Sequence, residues 1–266
     1  MKIIVFFILY FIAVTNSAQL FSINLNSSKS VCGNTSFESI NENNPSTLTN
    51  LRNGIAKIDI LPSKFGMNEL TNSSLMAASR IYGDIFLGLK INGIFNDLFN
   101  DYSSGFVISN KLYEKISIGA EIEYNRFEIK GYESHNLVML NFGSLIELTD
   151  KINAGFLVTN LNRAYRQYGK ENVEQTARFG IGTNLIQDFY LNIDAVVNIS
   201  RNTGFLISSK YDVENYLSLR LSYLTSPKQF DFGVNAKILE DVYLNYNFYM
   251  QNELGNSHGI ALYFVW

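Results

Sequence analysis

Across 266 residues this chain has one cysteine, two histidines, three prolines and one tryptophan. The single thiol, Cys32, excludes an intrachain disulfide. With only His135 and His258, and no paired-cysteine or H-E-x-x-H motif, no metal-ligand set is spelled out. No phosphate-cradling glycine loop occurs either. Charged residues make up 17% of the chain, and the net charge of -3 gives no support for nucleic-acid binding. Beyond residue 14 no apolar run nears the ~20 residues of a membrane-spanning helix, so helical spans are excluded. The prolines, Pro45, Pro62 and Pro227, all fall outside the expected strand cores, as ladder hydrogen bonding demands.

At the amino end, Lys2 precedes an apolar run over residues 3–14 and then the small and polar Thr15, Asn16, Ser17 and Ala18. Residues 1–18 read as a signal peptide cleaved before Gln19, which implies export. Residues 19–53 are polar, irregular and rich in Ser and Asn. They read as a leader that is either disordered or folded as a plug, with a helical turn or two over 40–51.

Residues 54–266 alternate. Leu217, Leu219, Leu221 and Tyr223 oppose Ser218, Arg220 and Ser222. Val242, Leu244, Tyr246, Phe248 and Met250 oppose Tyr243, Asn245, Asn247 and Tyr249. The same period of two runs through 116–124 and 191–199. It closes the chain in Ile260, Leu262, Phe264 and Trp266, a terminal pattern resembling the assembly signal of outer-membrane barrels. Such segments match the ~9–11 residues of a tilted membrane strand.

About fourteen are expected, near 54–60, 73–81, 83–93, 103–111, 115–127, 135–148, 151–160, 175–185, 189–199, 203–211, 215–224, 228–237, 242–250 and 257–266. The fold class is thus all-β, a transmembrane antiparallel up-and-down barrel with an amino-terminal plug. Mean hydropathy is only +0.02 although 47% of residues are hydrophobic, as expected where apolar and polar residues interleave along every strand. With the carboxyl end on the periplasmic side, short connections fall around Tyr113, Thr149, Gln187, Val213 and Glu240. The longer outer ones fall at 94–102, 130–134, 161–174 and 251–256. The competing soluble reading, two β-sandwiches, would put charge rather than Ser, Asn and Gly opposite the apolar rows.

Inward faces carry Lys90, Glu121, Glu123, Arg178, Asp194, Arg220, Asp231 and Lys237. The mixed signs read as lumenal ion pairs rather than a selectivity ring. Gly119, Gly180, Gly182 and Gly233 sit on strand faces, where they are expected to let strands bend. His135 and His258 both fall near outer strand ends, so a shared site with Ser134, Asp101 or Ser257 is conceivable. No spacing supports it. No catalytic, cofactor-binding or metal residue is assigned, and no cofactor is expected.

Three short runs resemble a known family. Asn44-Pro45-Ser46 is similar to the Asn-Pro-Ala of long-chain fatty-acid transporter (FadL-like) barrels. Pro62-Ser63-Lys64-Phe65-Gly66-Met67 and Glu253-Leu254-Gly255-Asn256-Ser257-His258-Gly259-Ile260 resemble elements of a Bacteroidetes-type branch with PorV- and PorQ-like proteins. Ser46 and Ser257 depart from its Ala and Thr. The resemblance implies a plugged fourteen-stranded barrel that passes hydrophobic or amphipathic small molecules through a lateral opening. The alternative it implies is a PorV-like component of type IX secretion that holds secreted protein cargo. The remaining expected partners are outer-membrane lipid and the barrel-assembly machinery, which would read the final strand.

Overall fold

The computed structural model describes residues 29–37, 43–67, 70–132, 134–164, 173–198 and 203–266. The expected signal peptide, 1–18, and parts of the 19–53 leader lie outside them. The strands are β1 (Gly54–Ser63), β2 (Asn72–Tyr82), β3 (Ile85–Phe95), β4 (Phe99–Leu112), β5 (Ile116–Ile129), β6 (Ser134–Glu147), β7 (Ile152–Thr159), β8 (Thr176–Ile186), β9 (Phe189–Asn198), β10 (Gly204–Glu214), β11 (Leu217–Thr225), β12 (Lys228–Lys237), β13 (Val242–Gln251) and β14 (Gly255–Val265). Each pairs with its sequence neighbours, and β1 pairs with β14, giving one closed antiparallel barrel. Every expected strand is present.

The residue alternation explains the closure. Ile58, Ile91, Ile122, Ile193, Phe205, Leu221 and Ile260 face outward and are exposed, while their polar neighbours Lys57, Glu121, Asp194, Arg220 and Asp231 are buried inside. A soluble sandwich would reverse this, so the chain is apolar on the outside of a single sheet without edges. Exposed Tyr82, Tyr113, Tyr216 and Trp266 ring one end, and Phe95, Tyr132 and Tyr223 lie near the other, as interfacial girdles do. Closure is completed at the last residue: Trp266 O accepts from Asn53 N (3.1 Å) and Gly54 N (3.0 Å), and Trp266 N donates to Gly54 O (3.2 Å).

One end of the barrel has only tight connections. The β2–β3 turn holds Gly83 at φ +53, and the β8–β9 turn holds Asp188 at φ +63, the left-handed geometry such two-residue hairpins need. At the other end, two connections expected to be long are short. β3, β4, β13 and β14 extend into them, leaving 96–98 and 252–254. Side-chain alternation ran on through Phe95 and Phe99, so the hairpin is simply taller than its apolar core. Pro62 falls within β1, where the register to β14 breaks between Ile60 and Ser63, so its missing N–H costs no ladder bond in that pairing.

Facing can be tested directly. Leu219→Arg places a charge on the lipid side and should destabilise the barrel by about 2–4 kcal/mol at mid-bilayer, whereas inward Ser218→Arg should cost much less. Equilibrium folding into vesicles against urea measures both, and equal losses would reverse the assigned faces.

Candidate functional site

Residues 29–37 and 43–53 lie inside the barrel, against the half that ends in tight turns. The polar leader is held by the wall's own polar rows. Asp194 on β9 accepts from Ser30 Oγ (2.7 Å) and from Val31 N (2.8 Å). Asn34 and Asn153 exchange hydrogen bonds (3.0 and 2.6 Å). Thr35 Oγ1 meets Ser208 Oγ at 2.8 Å and accepts from Asn192 Nδ2 at 2.9 Å.

Asn44 is the N-cap of a 3-10 helix, Pro45–Asn50, with Pro at its start; its Oδ1 accepts from Ser46 N and Oγ, and its Nδ2 donates to Val31 O (2.6 Å). The expected helical turn over 40–51 is this element. Leu48 and Leu51 then join Ile55, Met76, Ala78, Phe86, Val107 and Tyr263 in one apolar cluster with the wall. The leader thus touches inner faces around most of the barrel and forms a floor.

The inner-face glycines have a second role, making room for the leader. Gly119 opposes Gly143 across β5–β6, and Gly155 opposes Gly180 across β7–β8. A Cβ at Gly119 would lie 2.5 Å from Pro45 C and Ser46 N, and one at Gly155 would lie 2.9 Å from Val31. Gly119 and Gly155 make room for the floor's backbone, and Gly233 for the Phe37 ring.

The opposite mouth is lined by Phe65, Met67 and Leu70, from the connection between β1 and β2. Phe65, at φ +59, donates its N–H to Ser257 Oγ (2.7 Å), joining two of the family-like runs. Phe65 packs with Leu61 and Tyr249, flanked by Met67 and Leu254. Leu70, Ile94, Phe99 and Phe127 form a second cluster that Met67 also touches. The mouth is therefore apolar. Burial pushes the Lys64 ammonium down to about 8, an effect that Asp101 partly opposes.

Among the described residues, the β6–β7 ladder is the shortest in the wall, and it stops above the floor. β6 is long and β7 short, and their register runs only from Phe142↔Val158 to Glu147↔Asn153. Beyond it, the turn after β7 holds β6 by three bonds. Leu161 N donates to Leu140 O (2.7 Å), Asn162 Oδ1 accepts from Leu140 N (3.0 Å), and Asn162 Nδ2 donates to Val138 O (2.9 Å). A side-chain amide here replaces a strand's peptide. Buried Asn160, at φ +54, fixes the turn: it accepts from Ala164 N (2.7 Å) and donates to Val173 O (2.9 Å). Residues 134–137 of β6 extend past these bonds.

All eight inward charges lie inside the barrel. Lys90 pairs with Glu121 (2.5 Å), and Asn141 Nδ2 donates to both Glu121 and Glu123 (3.2 Å each). Asp194 serves the floor, and Arg220 Nη2 donates to Asn247 Oδ1 (2.9 Å). The conceivable histidine site does not form. His135 is on β6, level with Phe127 and Asp101, whereas His258 is exposed on β14 with Tyr246 Oη at 2.7 Å from its Nδ1. Gly255-Asn256-Ser257-His258-Gly259 spells G-x-S-x-G, but it runs straight along β14 rather than at a strand-to-helix elbow, and Ser257 is engaged with Phe65. Floor glycines, Asn160 and Asn162 had no sequence signature as site residues, since each matters only through its tertiary neighbour.

No protein family and no curated protein matches the sequence. Several solved structures share its fold. The Pseudomonas putida toluene transporter TodX superposes with a TM-score of 0.59 at 12% identity, over 83% of this chain and 90% of that one. The Ralstonia pickettii toluene transporter TbuX gives 0.62 at 10%, over 84% and 92%. A Pseudomonas aeruginosa FadL homologue gives 0.57 at 11%, over 87% and 94%. The fold is that of FadL-like outer-membrane barrels.

Two measurements follow from the floor and the mouth. Cys32 is buried in the floor and its thiol is pushed up to about 12, by burial first and by Asp194 next. It should resist maleimide at pH 7.5 in the folded barrel, whereas Gly119→Val, which collides with Pro45, should make it label; identical labelling would mean the glycine bed does not seat the floor. Lys64 binds a proton more readily unfolded than folded, so its contribution to stability should rise with pH between about 8 and 10.5. Lys64→Met should remove that rise in a stability-against-pH series.

Proposed function

We propose that this barrel is an outer-membrane passage for hydrophobic or amphipathic small molecules, which enter at the apolar mouth and leave sideways between β6 and β7. The observation that carries the proposal is the position of the interrupted ladder. The floor occupies the tight-turn half of the lumen, and the β6–β7 ladder stops on the mouth side of that floor. Hydrocarbon cannot hydrogen-bond a peptide, so a stretch of wall held by one asparagine amide and one turn is the cheapest place for an apolar molecule to pass into lipid. Val138 and Leu140 line its outer side, and Leu137 and Met139 its inner side. The likeness to toluene transporters supports the same reading through a shared fold. A PorV-type secretion role rests on the motif resemblance alone and would appear as co-purification with a secreted protein.

Vesicles containing the barrel should take up a pyrene-labelled alkane from outside faster than empty vesicles. Leu137→Trp with Met139→Trp, which fills the inner side of the seam, should return uptake toward the empty-vesicle rate while heat-modifiable migration is kept. Uptake by the unaltered barrel no faster than that of empty vesicles would end the proposal.

A further inference from the structure

The turn that holds the β6–β7 seam is tied, on its inner side, to the lumenal charges. Asn160 N, the first peptide beyond β7, donates to Asn141 Oδ1 on β6 at 3.0 Å. The other end of the same amide, Asn141 Nδ2, donates to Glu121 Oε2 and Glu123 Oε2 on β5, both at 3.2 Å. Glu121 is paired in turn with Lys90 on β3. The charged cluster and the turn therefore meet at one side chain. Asn141 and Glu121 are direct ladder partners, and Asn160, Glu121 and Asn141 are 0%, 2% and 6% exposed.

These partners allow Asn141 one orientation. A carboxylate accepts and a peptide N–H donates, so Nδ2 must face the glutamates and Oδ1 must face Asn160. Leucine can do neither, and an ionised aspartate places a third carboxylate where a donor is required. Room for the cluster comes from β4. A Cβ at Gly105 would collide with Glu121 Oε1 and lie 3.4 Å from Lys90 Cε. Gly105 is the ladder partner of both Lys90 and Glu123.

Asn160 passes the constraint on. Its side chain closes the turn onto Ala164 and Val173. Its carbonyl accepts from Arg163 N (3.0 Å) and Gln175 Nε2 (3.2 Å). Leu161 and Asn162, next in the chain, supply the three bonds that hold β6. A buried N–H that loses its acceptor costs the desolvation of that group. Turning the Asn160 peptide toward another partner recovers the cost and draws Leu161 and Asn162 off β6.

We infer that Asn141 is a positioning residue that latches the seam, and that the charge on Glu121 and Glu123 sets how firmly it holds. The inference rests on the passage reading above and names what regulates its exit. The charged groups facing Asn141 are Glu121 and Glu123 from β5 and Lys90 from β3, while β4 contributes Ser103, bonded to Glu123. Asp101 and His135 lie level with Phe127, farther toward the mouth. Arg178 on β8 answers to Asp194 and Glu174.

Amide exchange in the folded barrel, followed by NMR, tests the latch without relying on transport. In Asn141→Leu the amides of Asn160, Leu161 and Leu140 should all exchange about tenfold faster, the worth of one buried hydrogen bond. The Val31 amide in the floor, held by Asp194, should keep its rate. Asn141→Asp keeps the acceptor for Asn160 and loses the donor to the glutamates. Corrected for intrinsic exchange, its three seam amides should match the unaltered barrel at about pH 5, where a shared proton restores the donor, and exchange about tenfold faster at about pH 9, where three like charges repel. Acceleration confined to Asn160 in Asn141→Leu overturns the latch. A seam in Asn141→Asp that does not respond to pH overturns its link to the charges. Vesicle uptake separates latch from passage: loosened seam amides with faster alkane uptake support both, whereas loosened amides with unchanged uptake leave the latch and remove the exit between β6 and β7.

Discussion

A bilayer offers no hydrogen bond to a stray peptide, and the rest of this structure follows from that. It requires one closed ladder, which the chain completes by joining its last residue to Gly54. It sends every second side chain into lipid and the alternate ones into the lumen. It also makes any place where the ladder stops conspicuous. The β6–β7 seam is such a place, and the Asn162 amide, bonded to both Leu140 and Val138, shows how the backbone of β6 is satisfied beyond the end of β7.

The lumen answers a different problem. A ring of fourteen strands is too wide for its own side chains to fill. The leader fills one half, and it does so backbone against backbone, since polar peptide groups and small residues pack more closely than long side chains would. The glycine pairs Gly119–Gly143 and Gly155–Gly180 are the imprint of that choice in the wall. The other half is lined from the rim by Phe65, Met67 and Leu70, which leaves it apolar where the floor is polar.

The barrel was legible in the sequence because lipid imposes a period of two on every strand. Leu219 beside Arg220, or Ile193 beside Asp194, declares its face without reference to any other strand. The site was not legible because each part is a meeting of distant segments. Gly119 reads as a flexible point in a strand until Pro45 is seen against it. His135 and His258 look equivalent by distance from a turn, yet β6 and β14 lie on separated parts of the wall. Phe95 and Phe99 continue the period of two into the stretch where a longer loop is expected. Asn162 looks like any loop asparagine, and its role depends on β7 stopping short. The charges Lys90 and Glu121 were readable as an inward pair in kind, but Asp194 had no visible reason to serve the leader.

Leu48 and Leu51 of the floor share one apolar cluster with Ile55 of β1 and Tyr263 of β14, the two strands that seal the ring. The gasket and the weld are therefore a single joint. A strain that slides β1 along β14 by one residue turns Ile55 outward and takes the floor's footing with it, so the tightness of the lumen reports on the soundness of the seam. A barrel built this way tests its own closure: only a correctly registered ring has a bottom.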